Sequence, residues 1–269
     1  MQQAVNRSYV LGHADGELER LGRQAGIFGE MTHQILLRAG MAPGMRVLDL
    51  GCGAGDVSFT LSGIVGPRGS VHGIDLAPVA VAAAEQRAVA AGYSNVSFEA
   101  ANLNEFSRYS DFDAVVGRFV LMHMPDPGAV VRGIARQVRP GALIAFAEFD
   151  LNTASTTREI SLFRRSVDQI IATYQRAGFE PNMGSKLYDA FRFAGLAPAL
   201  TAFTRAGEID ATGVEFLVES MRSLLPAMEK VGVATAADID LPTLGERFAA
   251  EAAGACVFYP RLVGAWACT

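Results

Sequence analysis

The chain has 269 residues, 50% of them hydrophobic, and 23 Lys and Arg against 28 Asp and Glu, for a formal net charge of −5. That length fits one large domain, or one domain carrying a substantial insertion, and the apolar content argues against disorder. The acidic balance, without any basic run, speaks against a nucleic-acid phosphate backbone as partner.

From Arg46 to Asp150 short apolar runs alternate with helix-forming stretches. "RVLDLG" (46–51) reads as a buried parallel strand ending in glycine, and "DVSFTLSGIVG" as a helix stopped by "GPRG". "SVHGIDLA" is the second strand; an alanine-rich helix follows, with Pro78 in its first turn and Gly92 at its end. "NVSFEAANL", "FDAVVGRFVL" and "ALIAFAEFD" read as strands three to five, with a helix over "PGAVVRGIARQV". Beyond them, residues 156–178, 184–195, 212–231 and 243–253 have helical spacing, while "LAPALTAFTRAGEI" and "ACVFYPRLVGAWAC" read as strands six and seven. Strands separated by helices imply a parallel sheet with right-handed crossovers, whose ligand lies beyond the carboxyl ends of the strands. A helical insertion of about 40 residues between two late strands is long for a connector, and is expected to have a function.

At that carboxyl end stands "VLDLGCGAG" (47–55). Glycines there let a ligand approach the backbone closely, and two adenosine-containing ligands suit such a turn. A dinucleotide sets its pyrophosphate on the helix N-terminus, with the spacing G-x-G-x-x-G. Here Gly51, Gly53 and Gly55 are spaced G-x-G-x-G, with Asp49 before them and Asp56 in the first helical turn. Two carboxylates repel a pyrophosphate and attract the cationic sulfonium and amino groups of S-adenosylmethionine. Asp75, 24 residues beyond Gly51, ends strand two where an acid accepts ribose hydroxyls of either ligand. Asp56 also reads as a plain helix cap.

These stretches, together with "GIDLA", "NVSFEAANLNEF", "FDAVVGRFVLMHMPDP" and "VRPGALIAFAEFD", resemble the successive motifs of class I S-adenosylmethionine-dependent methyltransferases. The likeness is to the small-molecule group that includes ubiquinone/menaquinone-type and actinobacterial natural-product enzymes, and it covers residues 8–150 most strongly. It implies an α/β fold: a doubly wound, Rossmann-like seven-stranded sheet, mostly parallel with one antiparallel strand, under a helical lid. By position it implies an N-terminal segment over the cofactor (1–45), a cofactor-binding core (46–150) and late strands with lid helices (151–269). Gly51, Gly53 and Gly55 would approach the methionyl and ribose portions, with Asp49 beside them; Asp75 would hold the ribose and Leu76 flank the adenine. Asn102, where the family has Asp, and Leu103 would meet the adenine; Arg118 would line the transfer channel; Tyr9 and Gln24 would contact the methionine end. The product is then S-adenosyl-L-homocysteine, the acceptor a small molecule, and packing of the N-terminal helix on a neighbouring subunit would give a homo-oligomer.

Methyl transfer is an in-line displacement from sulfur, so alignment and exclusion of water are the protein's main work. A base is needed only for an acceptor that must lose a proton. His123, just after strand four, is the candidate base, with a structural hydrogen bond as its bland alternative. Glu148 near the end of strand five would either orient a polar substrate or cap a neighbouring loop. His13, His33 and His72 read as structural or surface groups, and no histidine–carboxylate grouping has metal-ligand spacing. The D/N-P-P-Y motif of nucleic-acid amino-methyltransferases is absent after strand four, where "GRFV" stands. Apolar stretches such as "FLVESMRSLLPAM" suit a lid over an apolar acceptor.

Cys52, Cys256 and Cys268 are too few and too scattered for a disulfide framework or zinc cluster. No apolar run reaches the roughly 18 residues of a membrane span, and the opening "MQQAVNRSYVLGHADGELERL" lacks the charged head and apolar core of a leader. The expectation is a reduced, cytoplasmic protein without membrane or nucleic-acid partners. Two alternatives stay open: a nicotinamide-dependent oxidoreductase on a similar fold, and a protein that binds S-adenosylmethionine without methylating.

Overall fold

Contiguous apolar runs need cover on both faces, and the chain supplies it with helices. The computed structural model describes residues 15–269, with side chains from residue 27 onward. Five strands, β1 (Arg46–Leu50), β2 (Ser70–Asp75), β3 (Val96–Ala100), β4 (Ala114–Arg118) and β5 (Leu143–Asp150), pair in parallel in the order β3-β2-β1-β4-β5. The helices between them are α2 (Asp56–Val65), α3 (Pro78–Ala90) and α4 (Pro127–Ala135). Successive residues of β1 point to opposite faces: Val47 packs with Val57, Leu61 and Val65 of α2, and Leu48 and Leu50 with the larger core on the other side. The chain runs outward from β1 to β3 and then crosses back to β4, so strand order reverses between β1 and β4. A crevice belongs there.

Two late strands, β7 (Ala199–Phe203) and β10 (Arg261–Cys268), complete a seven-stranded sheet. β10 lies between β5 and β7 and runs antiparallel to both. The sheet is thus the mostly parallel, Rossmann-like one with a single reversed strand that the motif resemblance implied.

Strands six and seven differ from the sequence reading. Each is broken: the first into β7 and β8 (Ala206–Glu208), the second into β9 (Cys256–Phe258) and β10. Pro260 stands at the second break, where a residue without an N–H cannot continue a ladder. The detached pieces join β6 (Ser155–Thr156) in a small antiparallel sheet ordered β6-β9-β8. This pairing also shortens the next helix: α5 begins at Ser161, later than the reading of 156–178, and ends at Arg176, earlier than it.

Helix α6 (Met183–Phe193) covers β5 and β10, while α7 (Ala211–Lys230), α8 (Ala236–Ile239) and α9 (Leu241–Ala252) form the helical insertion before β9. Leu217, Met221, Leu224 and Met228 make the buried stripe of α7, and Asp210 caps its start by accepting from the Gly213 amide. The first helix, α1 (Asp15–Arg38), turns Ile27, Phe28, Met31 and Ile35 inward. Phe28 is fully buried, with ring centroids 4.6 Å from Phe149 of β5, 5.9 Å from Phe216 of α7 and 6.2 Å from Tyr259. Gly264 of β10 admits this packing, since a Cβ there would collide with Ile35.

Candidate active site at the carboxyl ends of β1 and β4

The glycine turn leaves β1 through three left-handed residues, Gly51 (φ 63°), Gly53 (φ 52°) and Gly55 (φ 91°). A side chain is excluded at two of them by contact as well: a Cβ on Gly51 would lie 2.8 Å from Val120, and one on Gly55 2.8 Å from Phe59. The Cys52 amide donates to the Ile74 carbonyl at 3.0 Å, and that of Gly55 to the Cys52 carbonyl at 2.9 Å. The turn is therefore built by backbone, and its exposed surface is backbone.

Asp75 closes the turn from β2. Its Oδ2 accepts from the Gly53 amide and its Oδ1 from the Ala77 amide, each at 2.9 Å. Each oxygen keeps a lone pair for a further donor, as holding a ribose diol requires. Leu76 beside it is 68% exposed, a large apolar side chain presented to whatever lies over the turn.

The two flanking acids each have a partner within the fold, beside the ligand role the sequence offered both and the plain cap it also offered Asp56. Asp49 is 1% exposed beneath the turn and accepts from the Ser58 hydroxyl at 2.6 Å. Burial pushes its carboxyl up to about 7, against the pull of the Ser58 hydrogen bond and the Arg118 charge; Asp75 and Asp56 push it further up. Asp56 is paired with Arg87 of α3, whose Nη2 donates to its Oδ1 at 2.8 Å while Nη1 donates to the Ala54 carbonyl at 2.5 Å. Arg87 also lies over the Phe59 ring, 5.1 Å from its centroid. Sequence reasoning missed this clamp; the one signal was a basic residue with few companions in an alanine-rich helix.

At the β3 end, Asn102 Oδ1 accepts from the Asn104 amide at 3.0 Å, so one lone pair of the carbonyl assigned to adenine already holds its own turn. Leu103 packs half-buried against the core, and its carbonyl accepts from the Tyr109 hydroxyl at 2.9 Å.

β4 ends at Arg118, whose Nη1 donates to the Thr32 hydroxyl of α1 at 3.1 Å. Phe119 follows at φ 59°, a left-handed conformation that a phenylalanine adopts only at a cost. Its ring stacks on Phe149 with centroids 4.0 Å apart. Next comes a single 3-10 turn, Leu121–His123. The His123 imidazole lies edge-to-face with Phe179, centroids 5.1 Å apart, and 6.5 Å from the Tyr174 ring of α5. Glu148 is fully buried below this turn; its Oε1 accepts from the Val120 amide at 2.9 Å and the Leu121 amide at 2.7 Å. Of the two roles the sequence left open for Glu148, this geometry is the loop cap.

Tyr9 lies outside the described residues, and Gln24 falls in α1 where only the backbone is described. Among the described residues no group of three or more His, Cys, Asp and Glu is placed to hold a metal ion, and no helix is long and apolar enough to cross a membrane.

The fold and this turn are those of class I S-adenosylmethionine-dependent methyltransferases, and the residues present fit that cofactor: a side-chain-free cradle, a diol acceptor and an exposed apolar flank. A family model described as "Methyltransferase domain" matches residues 42–195, more than half of the chain. The chain belongs to that family. It is 36% identical over 118 residues to the ubiquinone biosynthesis O-methyltransferase of Paracidovorax citrulli, covering 42% of this chain and 48% of that one. To aklanonic acid methyltransferase DauC of a Streptomyces strain it is 34% identical over 130 residues, 48% and 58% of the two chains. This chain thus spans about half the length of the relatives it matches. In fold it is similar to YcgJ of Bacillus subtilis, with a TM-score of 0.58 and 16% identity over 88% of this chain and 98% of the other.

Proposed function

We propose that the protein transfers the methyl group of S-adenosyl-L-methionine to a small, largely apolar metabolite, releasing S-adenosyl-L-homocysteine. The observation that carries this reading is the Gly51–Gly55 turn with Asp75 anchored on the Gly53 and Ala77 amides beside the exposed Leu76. The co-substrate supplies an electrophilic methyl carbon on a sulfonium. The acceptor's lone pair forms the new bond to that carbon as the carbon–sulfur bond breaks, its electrons staying on sulfur.

The chain's own residues bind, align and exclude water. The turn and Asp75 hold the adenosine end, and Asn102 offers its second carbonyl lone pair to the adenine. Gly51 and Gly53 give backbone for the methionyl portion, with Arg118 near it. The stacked Phe119 and Phe149, both half-buried, favour an apolar or aromatic acceptor at the end of β4. The relatives' names, one for ubiquinone biosynthesis and one for aklanonic acid, support this reading. His123 takes a proton where the acceptor is a hydroxyl. α1, with Phe28 against Phe149 and Phe216, and helices α5, α7, α8 and α9 serve as the lid, while α6 packs on the sheet. Three free cysteines suit a reducing, cytoplasmic setting, and the acidic charge a partner other than nucleic acid.

Calorimetry with S-adenosylhomocysteine and with NAD tests the reading. The homocysteine product is expected to bind and NAD not to; the reverse result would establish the oxidoreductase alternative. Incubation of a metabolite pool with methyl-labelled cofactor then separates transfer from mere binding, read as labelled product by mass spectrometry. Light scattering tests whether the protein associates into a homo-oligomer.

A further inference from the structure

The Glu148 carboxyl lies at the carboxyl end of β5, fully buried, with Oε1 shared by two consecutive amides and Oε2 without a hydrogen-bond partner among the described residues. A buried polar atom left in that state has a cost, and the fold retains it where the group does something else. The two amides belong to Val120 and Leu121, immediately after Phe119 with its positive φ. A backbone held in such a conformation persists only where its surroundings enforce it. The Val120 side chain in turn lies directly on Gly51, so close that no Cβ fits there. The β4 turn and the glycine turn are one packed unit, and Glu148 grips it from below.

We propose that Glu148 is a positioning residue: by accepting from the Val120 and Leu121 amides it holds the Phe119 turn in its strained shape, and through Val120 it sets the wall of the cofactor turn at Gly51. This rests on the cofactor reading above. It does not make Glu148 a proton donor or acceptor in the reaction. Burial pushes its carboxyl up to about 8 against the pull of the Leu121, Val120 and Met122 amides, which favours the neutral acid at neutral pH. A neutral amide then does the same work, whereas an apolar side chain of similar size cannot. The charged groups nearest along the chain are His123 in the same turn and Asp150 two residues on, the latter held by Arg261 and Ser185.

Glu148→Gln and Glu148→Leu separate these roles by two measurements: hydrogen exchange at the Val120 and Leu121 amides, and calorimetric affinity for S-adenosylhomocysteine. The Gln variant is expected to keep both amides slow and the affinity within about twofold of the parent. The Leu variant is expected to speed exchange at those two amides and to weaken affinity about tenfold, the scale of one lost hydrogen bond to a buried group. Wild-type exchange and affinity in Glu148→Leu would overturn the proposal, as would a Gln variant whose turn is released. Should Glu148→Leu fail to fold, the Gln variant decides: slow amides and retained affinity support the proposal, and their loss overturns it. The exchange arm needs no ligand. Failure of the parent protein to bind S-adenosylhomocysteine would therefore sink the cofactor reading while leaving the grip on the turn still measured.

Discussion

Asp75 braces the glycine turn and, in the function proposed above, holds the ribose; Asp75→Asn pulls the two roles apart. Its two oxygens accept from two different amides, Gly53 and Ala77, each at 2.9 Å. An asparagine has one carbonyl oxygen. If that oxygen takes the Gly53 amide, the NH2 group faces the Ala77 amide, donor against donor. The alternative flip leaves the Gly53 amide unsatisfied instead. A hydrogen bond to a charged group contributes about 1.5–3 kcal/mol, and partial exposure of Asp75 lets water recover part of it. Asp75→Asn is thus expected to cost about 1–2 kcal/mol of stability before any ligand is present. Urea unfolding reads this as a lower midpoint at unchanged slope. Affinity for S-adenosylhomocysteine is expected to fall by a further ~1.5–3 kcal/mol, because a carboxylate accepts both hydroxyls of a diol and an amide accepts only one. A variant with parental stability and lost affinity would refute the first half of the argument: Asp75 would then be a ligand contact and no part of the turn's own structure. Parental affinity would remove it from the site altogether.

Three further outcomes follow from the same geometry. Arg87→Ala removes both the Ala54 carbonyl contact and the partner of Asp56, and is expected to weaken S-adenosylhomocysteine binding several-fold with little loss of fold, measured by calorimetry and thermal melting. His123→Ala is expected to lower turnover about 10²–10⁴-fold if the acceptor is a hydroxyl, and about tenfold or less if it is an electron-rich carbon or a neutral amine; unchanged cofactor affinity in either case separates both outcomes from misfolding around Phe179. Glu148 and Asp49 are both raised by burial, to about 8 and about 7, so the stability they contribute is full below pH 4 and is lost as pH rises through 7 and 8. Glu148→Gln is expected to remove its share of that loss, on the order of a few kcal/mol between pH 5 and 9, seen as a flatter stability profile in urea titrations across that range.

The inner strands β1, β4 and β5 are legible in the sequence because a parallel strand buried on both faces must be a contiguous apolar run, and each ends near a glycine or an acid; the edge strand β3, VSFEA, is legible only from its place in the strand–helix alternation. The glycine turn and Asp75 are legible for the same reason: close backbone approach and a diol acceptor leave fixed residue types at fixed spacing. The late strands are less so. "ACVFYPRLVGAWAC" is apolar almost from end to end, and only the missing N–H of Pro260 announces that its two halves serve different sheets. Contacts made across the fold leave no local pattern at all. Arg87 meets Asp56 from 31 residues away, and Glu148 meets Val120 from 28. Phe119 is marked by no neighbouring glycine, so its left-handed backbone shows only in three dimensions.

The charge argument against a dinucleotide changes its ground once those contacts are known. Sequence spacing sets Asp49 and Asp56 side by side near a would-be pyrophosphate, two like charges in its way. In the fold, Asp49 is buried, hydrogen-bonded to Ser58 and poised near neutrality beside Arg118, and Asp56 is neutralised by Arg87. Simple repulsion from these two is weak. The pyrophosphate's own place weighs more: at the positive end of α2, Gly55 lies against Phe59 and Phe98, and the first helical turn carries Asp56. Gly55 is buried, whereas Gly51 is exposed and Gly53 half-buried, so the accessible backbone of the turn lies at Gly51 and Gly53. The exposed backbone therefore points toward Asp75 and the β4 turn, away from the helix end. A ligand that spans from a diol at Asp75 to a cationic centre near β4, with no phosphate between them, matches that arrangement. S-adenosylmethionine has this layout.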